Sequence, residues 1–184
     1  MLDPHDALRA IQADPHYQRN LDWGEPRPGH PEGPLRNHIA DLEQNLERLR
    51  DRLDEAQQAR LMLLIHTHDT FKPDSIEGAP IRHPRSHASL ARTFLQRFHP
   101  DEQLLTMVQY HDEPFALWRQ FKHKGHFDRA RLDALLQNIS DWDSCLAFLI
   151  IDGCTEGKSR EPLLWFFRQI EGKVSARISA ADIL

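Results

Sequence analysis

From Leu35 onward the apolar residues of this chain recur at three- and four-residue steps, and no segment sustains strict alternation. Leu35, Ile39, Leu42, Leu46, Leu49 and Leu53 form one stripe, with Asp41, Arg48 and Arg52 opposite. That period is helical, whereas a half-buried strand needs a period of two. The pattern predicts an all-α helical bundle. A second helix is expected from Glu55 to Asp69. Its run LMLLI is apolar all round, so it should be central and buried. Further helices are expected near 86–98, 101–111, 128–139, 141–152 and 161–172. A long loop with three prolines, FKPDSIEGAPIRHPRS, lies between the second and third, and a mixed segment precedes residue 128. Residues 1–34 carry Pro4, Pro15, Pro26, Pro28, Pro31 and Pro34. They predict a proline-rich arm, largely extended, with a short helix around Ala7–Gln12, and the helical domain then covers 35–184.

Hydrophobic residues make up 40% and charged residues 28%, which suits a globular chain with a real core. No apolar run reaches the ~20 residues that a membrane helix requires. The N-terminus lacks the apolar stretch of a secretory signal, so a cytoplasmic, membrane-free protein is expected. A net charge of −5 argues against general nucleic-acid binding. The two cysteines, Cys145 and Cys154, fit a reduced compartment.

Twelve histidines stand out, because histidine is the commonest metal ligand. Several fall on apolar stripes. His38 lies with Leu35 and Leu42. His68 and Asp69 end the buried helix. His87 precedes Leu90, Ala91 and Phe94. His111 follows Leu104 and Val108, and Asp152 continues Cys145, Phe148 and Leu149. Each has an ordinary explanation alone: a hydrogen-bonded core histidine, a helix cap, a turn residue. A carboxylate in an apolar seam is costly unless it is paired or metal-bound. Five such stripes are economically explained by one or two ions at the centre of a bundle. Imidazole with carboxylate suits a divalent metal ion, Mn, Fe, Mg, Ni or Zn, without choosing among them.

These residues resemble the HD-domain metal-dependent phosphohydrolase superfamily: a histidine (His38), a His-Asp pair (His68-Asp69), then a distant aspartate (Asp152). HPEGPLRNH, residues 30–38, is similar to the opening of the HD module in bacterial tRNA nucleotidyltransferases. HDTFKP, 68–73, looks like the family's His-Asp-x-x-Lys-Pro turn. SHASLAR, 86–92, and YHDEP, 110–114, are similar to the segments that supply further histidines. The resemblance covers about residues 30–155. It implies an HD-type bundle with His38, His68, Asp69 and Asp152 on a first ion, and Asp69 bridging to a second held by His87 and His111. It also implies that Lys72 contacts substrate phosphate. Thr70 and Phe71 depart from the usual residues after the pair, and no Gly-Tyr-Pro motif is present.

The expected activity is hydrolysis of a phosphate ester of a nucleotide or similar small molecule, with Asp69 and Lys72 as the catalytic side chains. Arg82 and Arg85 before His87, and Lys122 after His111, are expected to join Lys72 in binding substrate. Trp118 and Phe121 could stack on a base. Two other readings fit the same residues: a non-catalytic module that binds metal and nucleotide, and an HD-fold di-iron oxygenase. A homodimer is compatible with either.

Overall fold

The computed structural model describes residues 2–184. Among them are ten α-helices and no strand: α1 (Pro4–Ala13), α2 (Pro15–Asn20), α3 (Leu35–Leu49), α4 (Glu55–Thr67), α5 (His87–Gln96), α6 (Glu102–Tyr110), α7 (Glu113–Lys124), α8 (Arg129–Asn138), α9 (Trp142–Gly153) and α10 (Glu161–Ile170). The side chains of Asp3, Asp14, Asp54, Asp101, Asp128 and Asp141 each accept backbone N–H groups from the first turn of the helix that follows. Much of the chain's acidity therefore serves to start helices. No helix among the described residues is long and apolar enough to cross a membrane.

The apolar run in α4 decides the architecture. Leu61, Leu63, Leu64 and Ile65 are fully buried, because α1, α3, α5, α6 and α9 pack around this one helix. At its C-terminus the Thr67 hydroxyl donates to the Leu63 carbonyl, and that of Thr70 donates to His66. The second bond satisfies a carbonyl that the ending helix leaves free, and the first adds to a bond within the helix. They also hold His68 and Asp69 in a tight turn at the centre of the bundle.

Two segments differ from expectation for one reason. Residues 4–20, expected to be largely an extended arm, form α1 and α2, and Ala7, Ile11 and Tyr17 enter the core. Pro4 and Pro15 stand at the first helical position behind Asp caps. There proline loses no helical hydrogen bond, and its fixed φ favours the helix. The mixed segment after His111 is α7, which again carries a proline in its first turn, Pro114 at the second position, and stops at Gly125 in the left-handed region (φ 74°).

Candidate metal centre

Five elements aim polar atoms at one region. α3 contributes His38, the turn after α4 contributes His68 and Asp69, α5 begins with His87, His111 follows α6, and Asp152 lies near the end of α9. A buried bond from the Asn45 amide to the Ile151 carbonyl (2.9 Å) sets the register of α3 on α9, and so of His38 on Asp152.

The donor atoms fall into two groups, His38–His68–Asp152 and Asp69–His87–His111, each within 4.8 Å internally. Asp69 links them. Its Oδ2 lies 4.0 Å from His38 Nε2 and 3.5 Å from His68 Nε2. Its Oδ1 lies 3.8 Å from His87 Nε2 and 3.6 Å from His111 Nε2. One carboxylate thus turns one oxygen to each group.

The far nitrogens of the rings orient them. Nδ1 of His68 donates to the Ile65 carbonyl at 3.0 Å, and Nδ1 of His111 donates to that of Val108 at 2.7 Å. With the proton on Nδ1, each Nε2 presents a lone pair to the centre, the arrangement a metal-binding imidazole needs. His38 Nδ1 lies 3.0 Å from Glu32 Oε1, which also meets His30 Nδ1 at 2.9 Å.

Charge is unbalanced here. Glu32, Asp69, Asp112 and Asp152 are four carboxylates, and Lys72 and Lys158 are the two lysines that pair with them. Four minus two leaves two negative charges for histidine protons or a bound cation to offset. Burial disfavours the charge on Asp69, yet the Lys72 ammonium holds its carboxyl well below the usual range. Burial likewise opposes the charge on Asp152, but Lys158 and His38 hold that carboxyl low. Burial lowers the His68 pKa to about 4, so that ring is neutral. Burial opposes charge on His38 as well, but Asp152 and Glu32 raise it to about 9.

Both ring nitrogens of His38, His68 Nε2 and Asp69 Oδ1 are buried with no hydrogen-bond partner. His38 Nε2 is only 3.1 Å from Asp152 Oδ1, but the two are not aligned as donor and acceptor. Buried polar atoms are seldom left unsatisfied. Donor atoms that converge without hydrogen bonds to one another fit a shared cation, which would displace the proton of His38, so the residues present suit a divalent ion, and the alternation of imidazole with carboxylate suits two.

A cleft of about 1360 Å³ opens over the second group, lined by Lys72, His87, Asp112 and the 75–82 loop. Lys72 Nζ contacts Asp69 Oδ2 at 2.5 Å. Arg82 lines the cleft and donates to the Tyr110 hydroxyl. The other expected substrate contacts lie elsewhere. Arg85 is exposed and outside the cleft lining; its backbone is engaged, the carbonyl by the Ile76 N–H and the N–H by His83 Nδ1. Lys122 pairs with Glu161 at 2.8 Å, because α7 packs on α10 and turns that side away from the site. Phe121 stacks on Trp165 and Trp118 on Phe115, so neither ring faces the cleft. Arg119, on the other side of α7, does line it.

Sequence reasoning missed Glu32, Asp112 and Lys158. Asp112 carried a signal, since His111-Asp112 is a second His-Asp pair. Its Oδ2 sits 3.2 Å from His87 Nε2. Lys158 carried none; the turn at Gly157 (φ 75°) brings it back onto Asp152 at 2.7 Å. Searches of family models, curated proteins and solved structures return no match to this chain.

Proposed function

We propose that this chain is an HD-type metal-dependent phosphohydrolase that cleaves a phosphate ester of a nucleotide or similar small molecule. The observation that carries the reading is Asp69, buried, with one oxygen toward His38 and His68 and the other toward His87 and His111. His38, His68, Asp69 and Asp152 would hold one ion, and Asp69, His87 and His111 a second. A divalent ion in such a site neutralises phosphoryl charge and lowers the pKa of water from 15.7 toward ~7.

The chain's own residues have definite tasks in this reading. Lys72 sits three residues beyond Asp69, half-covered, at the floor of the cleft. It would take a phosphoryl oxygen when substrate displaces its contact with Asp69. Arg82 and Arg119, both in the cleft lining, would hold the remaining phosphate oxygens. Asp112 beside His87 is placed to accept a proton from an attacking water or to return one to the leaving group.

The test is metal content per chain, followed by a panel of phosphomonoesters and phosphodiesters assayed before and after chelation. The expected result is one or two ions per chain and turnover that chelation abolishes and one of Mn, Fe, Mg, Ni or Zn restores. A chain that retains none of these ions at saturation would overturn the metal centre. A metallated chain that turns over no ester would leave the non-catalytic reading.

A further inference from the structure

Residues 21–34, between α2 and α3, form a closed loop rather than a loose connection. The Leu35 N–H donates to the Trp23 carbonyl at 2.9 Å, the Arg36 N–H to that of Leu21 at 3.0 Å, and Arg27 and His30 exchange backbone bonds. Gly24 (φ 110°) passes so close to Gly33 that a Cβ there would lie 2.7 Å from the Gly33 carbonyl oxygen. The backbone on both sides of Trp23 is therefore pinned. Trp23 is nonetheless 40% exposed. A large aromatic ring left in water on a rigid frame has a surface to offer, and preorganisation lowers the entropy lost on binding.

The surroundings say what it would meet. Trp23 lines the same cleft as Lys72 and His87. Arg27 lies beside it, with its guanidinium carbon 6.0 Å from the ring centroid. Arg27, Arg82 and Arg119 all line the cleft, and none makes an ion pair among the described residues. Three unpaired guanidiniums and one lysine exceed what a single phosphate needs. They suit a chain of phosphates, since each guanidinium can grip two oxygens.

The geometry points to a nucleoside polyphosphate as the ligand of this cleft, with its base stacked on Trp23 and its outer phosphates held by Arg27, Arg82 and Arg119. The loop after α2 is thereby a wall of the substrate site, and Trp23 and Arg27 set specificity rather than rate. This inference rests on the phosphohydrolase reading only in taking the cleft as the substrate site.

The test is calorimetric binding of a methylene-bridged nucleoside triphosphate, with inorganic triphosphate and glycerol 2-phosphate as comparisons. Base–aromatic stacking is worth enough that Trp23→Ala should weaken the nucleotide by about 10-fold. The same change should leave inorganic triphosphate unaffected, and Trp23→Phe should restore most of the loss. Arg27→Ala should weaken nucleotide and inorganic triphosphate alike, again by about 10-fold. Because Trp23 is exposed, its replacement leaves the core intact. Equal nucleotide affinity in the wild type and Trp23→Ala would overturn the inference, as would a wild type that binds the nucleotide no better than inorganic triphosphate. If glycerol 2-phosphate is hydrolysed with metal while nucleotide binding ignores Trp23, the inference falls and the phosphohydrolase reading stands. Trp23-dependent nucleotide binding without hydrolysis of any ester upholds the inference and overturns that reading.

Discussion

His68 and His87 present the same atom to opposite oxygens of Asp69, yet the first ring is 1% exposed and the second 21%. In the inner group, His38–His68–Asp152, both rings are buried while Asp152 is half-buried; the Ile65 carbonyl anchors His68, and Glu32 lies 3.0 Å from His38 Nδ1. The outer group, Asp69–His87–His111, opens on the cleft. His87 there has no backbone anchor; its Nε2 shares contacts with Asp112, Asp69 and His111. A group with anchored rings suits a tightly held ion, and one that meets the cleft suits an ion that exchanges ligands with substrate. On the proposed function, retention would fall to the inner group and reaction to the outer one.

Asp69 belongs to both, so Asp69→Ala should do the most damage. Metal content should fall to near zero and turnover by about 10³-fold or more, with helical circular dichroism preserved. Full metal content in that variant would contradict its bridging position.

Next come the single-group changes, which are expected to be unequal. His38→Ala should strip the inner ion and, because Asp69 then loses its anchored neighbours, weaken the outer one. His87→Ala should keep about one ion per chain while losing about 10²-fold in turnover. Metal analysis at saturation separates this from a one-ion site: one ion in the wild type, with none lost in His87→Ala, defeats the two-group description.

Glu32 sharpens the difference from the far side of His38. Glu32→Gln should weaken the inner ion by about 10- to 100-fold, the usual range for a carboxylate that orients a ligand histidine. Competitive chelator titration should find the outer ion nearly unaffected. A uniform loss at both groups would mean that Glu32 supports the fold rather than the ring.

The smallest effect is expected at Lys122, whose exposed pair with Glu161 is remote from both groups. Lys122→Ala should change turnover less than twofold and stability by no more than about 1 kcal/mol. Lys72→Ala, by contrast, should raise KM for the same ester severalfold, so steady-state kinetics on the two variants distinguish a site lysine from a surface one.

Local sequence determined the helices and the residue types of the centre. The stripe from Leu35 to Leu53, the run in α4 and the aspartate caps are patterns within one or two turns, and backbone geometry reads them directly. His38, His68, Asp69, His87, His111 and Asp152 were legible because polar groups on apolar stripes are costly without partners. Residues 4–20 were only partly legible, because proline starts a helix behind a cap and stops one elsewhere, and the cap must be noticed first. Tertiary structure alone decided which oxygen of Asp69 faces which ring, that Lys158 returns to Asp152, that Lys122 turns to α10, and that Trp23 faces the cleft. Those relations join residues far apart in the chain through the angles at which whole helices pack. Such angles come from summed side-chain contacts across many positions, which no local period encodes.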